Sequence, residues 1–292
     1  MEDNMQKPVV GFIGLGVMGK SMAGHILNGG YPLYVYTRTK EKAAELLDKG
    51  AIWATTPKEI AQQAKYVFTI IGTPTDVEEV YLGENGLITN GKENTYFIDM
   101  TTSSPTLAQR LYEEGKKKGI HVLDAPVSGG DIGAKEARLA IMVGGDQKDF
   151  DAVLPLFQLM GKNIAYFGKG GSGQHTKMAN QIAIAPTMIG VCESLIYAKK
   201  AGLNVQKVVD LISTGAAASF SLSSYAPRIL KEDYSPGFFI KHFIKDMTIA
   251  LNEAEKMNLD LPGLTLAKQM YEKLAKMGEE NSGTQALYKY WQ

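Results

Sequence analysis

The sequence predicts an α/β protein in which an N-terminal doubly wound sheet precedes an all-helical C-terminal domain. Three observations lead to this fold class. Short β-rich runs alternate with helical patterns up to about residue 167, a glycine-rich turn follows the first run, and no strand signal appears from Gly168 onward. Strands that alternate with helices form parallel sheets, because crossover helices cover both faces.

The candidate strands are short runs rich in β-branched and aromatic residues. They are Val9–Ile13, Leu33–Tyr36, Tyr66–Ile71, Tyr96–Asp99, His121–Leu123, Ala140–Val143 and Ile164–Tyr166. Helical patterns with apolar residues at three- and four-residue steps separate several of them. They cover Glu41–Lys49, Pro57–Ala64, Pro105–Lys118 and Gln147–Met160.

The clearest boundary signal is the glycine-rich run from Gly168 to Gly173. It divides the chain into a predicted nucleotide-binding domain, residues 1–167, and a predicted helical domain, residues 168–292. The helical patterns of the second domain cover Gln174–Ala201, Val205–Thr214, Phe243–Met257 and Leu264–Lys276. The first of these is apolar on nearly every face, which is typical of a helix buried between layers or between subunits.

The composition excludes several classes of function. The 292 residues contain 31 Lys and Arg and 31 Asp and Glu, so no net charge favours binding to nucleic acid or to an anionic membrane. Residues 1–7 do not resemble a secretory signal, and no apolar stretch is predicted to span a membrane. Because the single Cys192 cannot form an internal disulfide, we expect a cytoplasmic protein.

The most informative motif is the G-x-G-x-x-G turn between the first strand and the first helical pattern. Its glycines allow a tight turn, a close approach of a pyrophosphate and close packing of helix on strand. The N–H groups at the helix start then face the phosphates. This turn predicts a Rossmann domain whose cofactor-binding residues are Gly14, Leu15, Gly16, Val17, Met18 and Gly19.

The end of the second strand predicts which dinucleotide is bound. Enzymes that use NAD(H) usually carry an acidic residue there to bind the ribose hydroxyls. This chain instead carries Thr37, Arg38 and Thr39. A guanidinium beside two hydroxyls suits the 2′-phosphate of NADP(H). We therefore expect NADP(H) to be preferred, with NAD(H) as a second cofactor; the alternative is a solvated Arg38 at a helix start.

Four further runs, taken with the glycine turn, carry a resemblance that spans almost the whole chain. They are Asp99–Thr102, Asp124–Gly130, Gly168–Gln181 and the pair Lys245–Asp246 after Phe238. In this order they resemble the β-hydroxyacid dehydrogenase family. That family includes 3-hydroxyisobutyrate dehydrogenase, tartronate semialdehyde reductase and the glyoxylate/succinic semialdehyde reductases. The resemblance implies a fold like that of 6-phosphogluconate dehydrogenase.

The resemblance also implies roles for individual residues. It makes Ser128, Gly129 and Gly130 a substrate loop, whose hydroxyl and two N–H groups suit a carboxylate. It makes Lys177 and Asn180 catalytic and substrate-binding, with Lys177 exchanging a proton with the reacting oxygen. Because they are three residues apart on a helix, these two share a face. It assigns the remaining cofactor contacts to Thr102, Phe238, Lys245 and Asp246.

Each of these assignments has a plainer alternative. Without the resemblance, Lys177 could be a surface lysine at a helix start. Asp246 could be part of a surface ion pair, and Phe238 could be a core aromatic. The four histidines, at positions 25, 121, 175 and 242, lack the spacing of metal ligands, so no metal site is predicted.

The sequence therefore predicts an oxidoreductase that interconverts a short 3-hydroxy acid and its semialdehyde, assembled as a homodimer or homotetramer. An imine reductase is an alternative, but such enzymes usually lack a lysine at the position of Lys177. 6-Phosphogluconate dehydrogenase has a much larger helical domain, and a catalytically silent cofactor sensor would not need Ser128, Lys177 and Asn180. The pair Asn180 and Gln181 resembles the Asn-Gln pair of the tartronate semialdehyde reductases. The motifs do not select one hydroxyacid.

Overall fold

The computed structural model describes residues 7–292 and divides into two compact units. The first unit extends to Lys177, and the second covers Met178–Gln292. The domain boundary after residue 167 stays a prediction.

The first unit contains a nine-stranded sheet within residues 7–292. Its strands are β1 (Val10–Ile13), β2 (Leu33–Tyr36), β3 (Ile52–Trp53), β4 (Tyr66–Thr69), β5 (Tyr96–Asp99), β6 (His121–Asp124), β7 (Val127–Ser128), β8 (Leu139–Gly144) and β9 (Gly161–Gly168). The spatial order is β3-β2-β1-β4-β5-β6-β8-β7, with β9 paired to β8. The order reverses direction at β1 and β4, which confirms the predicted doubly wound sheet.

Alternate residues of the central strands are buried on opposite faces of the sheet, as the two-residue period of a strand requires. One core contains Phe12, Phe68, Ile98 and Leu123, and the other contains Ile13, Val67, Phe97 and Val122. Because both faces are buried, the strands read as continuous apolar runs rather than as alternating patterns.

Helices cover these two faces. They are α1 (Gly19–Asn28), α2 (Ala44–Asp48), α3 (Pro57–Gln63), α4 (Pro74–Leu82), α5 (Leu87–Asn90), α6 (Pro105–Lys117), α7 (Gly130–Lys135) and α8 (Gln147–Phe157). A 3-10 turn, Lys40–Ala43, precedes α2. The strands on the β1 side of β6 pair in parallel.

The sheet departs from the sequence prediction next to β6. Strand β8 pairs antiparallel with both β6 and β7. Strands β3 and β7 contain 2 residues each, which is too short for a periodic sequence pattern. Residues 129–138 connect β7 to β8, which is too short for the crossover of a dozen or more residues that a parallel pair requires. The chain therefore reverses direction at this edge.

The second unit is helical, as predicted, apart from one isolated bridge between Phe239 and Gly283. Helix α9 (Ser172–Lys200) enters it from the first unit, and α10 (Val205–Ile212), α11 (Ala226–Leu230), α12 (Ile240–Lys256) and α13 (Pro262–Leu274) follow. Short π-helical segments cover Ser221–Tyr225 and Ala275–Glu279, and a 3-10 segment covers Thr284–Trp291.

Helix α9 corrects one expectation. By length and composition it could cross a membrane, although no such stretch was expected from the sequence. Core helices of soluble proteins pass the same test, and 44% of its most apolar window is buried within this chain. Buried Met178, Ala185, Met188 and Cys192 recur along α9 and join the core of the second unit. The burial of Cys192 raises the pKa of its thiol.

Candidate active site

The glycine turn joins β1 to α1, and two of its glycines are required by the packing of the chain itself. Gly14 has φ +98°, and a Cβ on it would lie 2.1 Å from the carbonyl oxygen of Ile70. A Cβ on Gly19 would lie 1.9 Å from the carbonyl oxygen of Gly14. A Cβ on Gly16, by contrast, would meet nothing within 4 Å. The space beside Gly16 is therefore open.

The N-terminus of α1 is suited to an anion. Its N-cap residue, Met18, makes no side-chain capping hydrogen bond, and the first turn contains no acidic residue. Val17 is 55% exposed, whereas Leu15 is buried. Helix N-terminal N–H groups and the helix dipole both favour phosphate. This turn therefore fits the pyrophosphate of a dinucleotide.

The end of β2 lies beside the glycine turn, because the Gly14 N–H donates to the carbonyl oxygen of Tyr36 at 2.9 Å. Thr37, Arg38 and Thr39 follow this strand end. The Arg38 side chain is 81% exposed, and its Nη1 lies 3.3 Å from Oδ1 of Asp76.

Asp76 is a neighbour of Arg38 that the sequence analysis missed. Its Oδ2 accepts hydrogen bonds from the backbone N–H and the hydroxyl of Thr73, at 2.9 and 2.7 Å, in a capping box at the start of α4. The signal was available as a Thr followed three residues later by an acid. What the sequence did not show is that this carboxylate faces Arg38.

Hydrogen bonds between the carboxyl ends of β4 and β5 fix the segment that contains Thr102. Oδ1 of buried Asp99 accepts from the Thr69 hydroxyl at 2.9 Å and from the Thr101 N–H at 3.1 Å. The Thr101 hydroxyl accepts from the Ile71 N–H at 2.9 Å. Burial raises the pKa of Asp99 to about 6, and the hydrogen bonds from Thr101 and Thr69 oppose this rise.

Asp124, at the end of β6, holds the first turn of α9. Its two carboxylate oxygens accept from the N–H groups of Gly171 and Gln174, both at 2.7 Å. Burial raises the pKa of Asp124 to about 6, while these backbone hydrogen bonds lower it. A Cβ on Gly173 would lie 2.3 Å from the Met142 carbonyl oxygen, so the turn packs directly against the strand ends.

The predicted substrate loop lies at the reversal between β7 and α7. Half-buried Ser128 pairs with Ala140 of β8, and Gly129 and Gly130 have φ values of +131° and +65°. His25, which the sequence left without a role, lies with its Nε2 2.9 Å from the carbonyl oxygen of Ala134 in α7. The helix that follows the loop is therefore tied to α1.

Lys177 is the last residue of the first unit, and it is only 7% exposed. It is therefore not the solvated surface lysine that was its plainer alternative. Asn180, three residues later on α9, belongs to the second unit and is half-buried.

In the second unit a chain of polar contacts joins Asn180 to the Lys245–Asp246 pair. Asn180 Nδ2 donates to Oε1 of Gln181 at 2.8 Å, and Gln181 Nε2 donates to Oδ2 of Asp246 at 2.7 Å. Lys245 Nζ lies 3.2 Å from Oδ1 of Asp246, an ion pair without hydrogen-bond geometry. Asp246 is 1% exposed and so is not part of a surface ion pair. The linking role of Gln181 was missed by the sequence analysis.

Phe238 is half-buried and packs against the core of the second unit, with its ring centroid 5.3 Å from that of Phe243. Its contact with a cofactor stays a prediction. Within residues 7–292 no group of three or more His, Cys, Asp or Glu side chains could hold a metal ion.

Two family models match the chain. Residues 9–168 match the NAD-binding domain of 6-phosphogluconate dehydrogenase, and residues 171–291 match the NAD-binding domain of NADP-dependent 3-hydroxyisobutyrate dehydrogenase. Together with the fold and the glycine turn, these matches define an NAD(P)-binding oxidoreductase.

Similar proteins agree with this class. An uncharacterised oxidoreductase of Bacillus subtilis, YkwC, is 61% identical over 98% of this chain and 99% of its own length. The 2-hydroxy-3-oxopropionate reductase of Escherichia coli is 38% identical over 95% of each chain. A solved structure of Mycobacterium tuberculosis 3-hydroxyisobutyrate dehydrogenase with L-serine has a TM-score of 0.89 and 26% identity, and covers 98% of this chain and 99% of that chain. The chain therefore belongs to the β-hydroxyacid dehydrogenase family.

The different requirements for Gly16 and Gly19 give a first prediction. Gly19→Ala places a methyl group against the Gly14 carbonyl oxygen, so we expect the free energy of unfolding to fall by about 1–3 kcal/mol. In Gly16→Ala the added methyl group contacts no atom of the chain, so the free energy of unfolding should change by less than about 1 kcal/mol. Its methyl group should nevertheless weaken NADPH binding about tenfold or more, because the pyrophosphate must approach there. Urea unfolding and fluorescence titration with NADPH measure both effects; unchanged NADPH affinity of Gly16→Ala would contradict the binding site.

The raised pKa of Asp99 gives a second prediction. Its pKa rises from 3.8 to about 6, so its stabilising contribution is complete below pH 3.8 and is lost as the pH rises through about 6. An asparagine at this position would keep an oxygen for the Thr69 and Thr101 hydrogen bonds without the charge. From about pH 5 to about pH 7.5, we expect Asp99→Asn to gain about 1 kcal/mol of unfolding free energy relative to wild type. Urea unfolding measures this gain, and Asp48→Asn, at an exposed site, should show none.

Proposed function

We propose that this protein is an NADP(H)-dependent β-hydroxyacid dehydrogenase that interconverts a short 3-hydroxy acid and its semialdehyde. The proposed substrates are of the type used by 3-hydroxyisobutyrate dehydrogenase and by 2-hydroxy-3-oxopropionate reductase. The observation that carries this proposal is the burial of Lys177 three residues before Asn180 on one helix. A buried amine with an amide about one helical turn further along the same helix is a pairing suited to a substrate oxygen that gains or loses a proton.

The substrate carboxylate is assigned to Ser128, Gly129 and Gly130. Two consecutive residues with positive φ turn the backbone sharply after β7, and only glycine adopts such φ values at no steric cost. Successive N–H groups in a turn of this kind, with the Ser128 hydroxyl beside them, suit an anion. This loop would recognise the carboxylate that all the candidate acids share, so it does not select one of them.

The proton transfer is assigned to Lys177. During reduction its ammonium group donates a proton to the carbonyl oxygen, and during oxidation its amine accepts a proton from the hydroxyl. NADP(H), when bound, supplies or accepts the hydride. Asn180 lies one helical turn from Lys177, so its amide would orient the same substrate oxygen.

The polar chain in the second unit supports the role of Asn180. One N–H of its amide is committed to Gln181, and Gln181 is itself fixed by Asp246. These contacts fix the orientation of the Asn180 amide. Because its nitrogen donates to Gln181, its oxygen points away from Gln181. Asp246 and Lys245 are therefore assigned to holding the site, and Phe238 to shielding the nicotinamide.

The preference for NADP(H) rests on Arg38. An exposed guanidinium at the end of β2 is accessible to a 2′-phosphate, with the hydroxyls of Thr37 and Thr39 beside it. Asp76 ion-pairs with Arg38 at the surface, where such pairs are worth only about 0–1 kcal/mol. This pair would not prevent Arg38 from binding a phosphate.

We also infer a cytoplasmic homodimer or homotetramer. The single cysteine is buried and unpaired, as expected in a reducing compartment. Several large apolar side chains of the second unit are exposed in the isolated chain, among them Tyr197, Leu211 and Phe220. We infer that these side chains contribute to a subunit interface, where exposed apolar surface is typically buried.

The assignment of Lys177 predicts a specific loss of turnover. NADPH oxidation is followed by near-ultraviolet absorbance with glyoxylate and with succinic, tartronate and methylmalonate semialdehydes. On the substrate that wild type reduces fastest, Lys177→Ala should lower kcat about 10²–10⁴-fold, because the proton donor is lost. The affinity for NADPH should change little, as measured by fluorescence titration. A Lys177→Ala enzyme within tenfold of wild type would refute the role.

The assignment of Arg38 predicts a change in cofactor selectivity. Arg38→Ala should weaken NADPH binding about 10–100-fold, because a charge-assisted contact to phosphate is worth about 1.5–3 kcal/mol. NADH binding should change by less than about twofold, since NADH lacks that phosphate. Lys42→Ala removes a nearby exposed cation and is the control, with no expected change in either affinity. Equal losses for NADPH and NADH in Arg38→Ala would contradict the assignment.

A further inference from the structure

Gln174 has a side chain that none of the assigned roles uses. It is fully buried, with 0% of its surface exposed. Its Oε1 accepts a hydrogen bond from the N–H of Ser103 at 2.9 Å, and its Nε2 donates to the carbonyl oxygen of Thr101 at 2.7 Å. The amide therefore binds the backbone on both sides of Thr102.

The backbone of Gln174 is also fixed. Its N–H donates to Asp124 at 2.7 Å, and the Gly171 N–H donates to the other oxygen of the same carboxylate. A Cβ on Gly144 would lie 2.6 Å from Asp124 Oδ1, so the carboxylate has no space to turn toward β8. The first turn of α9 is thus held against the ends of β5 and β6.

Lys177 follows Gln174 by three residues on the same helix. Residues at this spacing are neighbours on one face. A shift or rotation of the first turn of α9 would therefore move Lys177 and the Thr101–Ser103 segment relative to each other. A displacement of about 1 Å at a reacting group can reduce a rate about 100-fold.

We propose that Gln174 is a positioning residue that locks the Thr101–Ser103 segment to the first turn of α9 and so fixes Lys177 in register with Thr102. This inference rests on the proposed function, in which Thr102 lies near the nicotinamide and Lys177 exchanges the proton. Gln174 itself contacts neither substrate nor cofactor in this proposal.

A purely structural role is the competing explanation, and the chain offers a matched control for it. Gln285 is also 0% exposed, and its Nε2 donates to the carbonyl oxygens of Asp233 and Ser235, both at 3.1 Å. Replacing either glutamine with methionine keeps the side-chain length and removes its backbone hydrogen bonds. A merely structural amide would lower stability in both variants and turnover in neither.

The kinetic experiment compares Gln174→Met with Gln285→Met in the full-length protein. We expect both to lower the melting temperature. Gln174→Met should also lower kcat about tenfold or more, with the substrate KM and the NADPH Kd changed by less than about threefold. Gln285→Met should keep the wild-type kcat. A wild-type kcat for Gln174→Met, or equal falls in kcat for the two variants, would overturn the proposal.

Two measurements that need no turnover separate this proposal from the proposed function. Amide hydrogen exchange at Ser103 should accelerate in Gln174→Met, because its acceptor is lost. The rate at which acetic anhydride modifies Lys177, measured by mass spectrometry, should also change, and Gln285→Met should alter neither. If the wild type reduces none of the aldehydes, the proposed function fails while these measurements still test Gln174. Exchange and labelling rates equal to wild type would overturn the positioning role.

Discussion

The buried carboxylate of Asp124 accepts two short hydrogen bonds from the N-terminal turn of α9, and the arrangement of the candidate site depends on this contact. Burying a carboxylate is costly unless hydrogen bonds compensate for the lost water. The positive end of the helix dipole and the N–H groups of Gly171 and Gln174 provide that compensation. The pKa of Asp124 is nevertheless raised to about 6, because desolvation raises the pKa by more than these hydrogen bonds lower it. A charge held at this cost fixes where the helix begins, and hence where Lys177 lies.

The glycines of the cofactor turn separate two physical requirements that a sequence motif combines. Gly14 and Gly19 leave no space for a side chain within the folded chain, whereas Gly16 does. For Gly16 the proposed reason is instead the close approach of a dinucleotide pyrophosphate. Arg38 shows the same division, because its ion pair with Asp76 is exposed and contributes little to stability. The position of Arg38 at the end of β2 is therefore relevant to ligand binding rather than to stability.

Amide side chains complete the network on which the assigned residues depend. Gln174 binds the backbone around Thr102, and Gln181 links Asn180 to Asp246. An amide suits such positions because it donates and accepts at once and carries no charge that would have to be desolvated. The family resemblance predicts the roles of Lys177 and Asn180, and the structure adds the glutamines whose hydrogen bonds join neighbouring segments.

The sequence by itself determined the doubly wound sheet, the helical second half, the glycine turn and the family. These features depend on periodicity or on contiguous motifs, which are local properties of the chain. Only the tertiary structure decided the antiparallel edge at β7 and β8, the ion pair of Arg38 with Asp76 and the partners of Gln174 and Gln181. Strand β7 is too short to produce a periodic signal. The side-chain hydrogen bonds of Gln174 to Thr101 and Ser103, and of Gln181 to Asp246, join residues 65 to 73 positions apart. No pattern within one element reports such contacts, because they form only when the strand ends and helix starts meet in the folded chain.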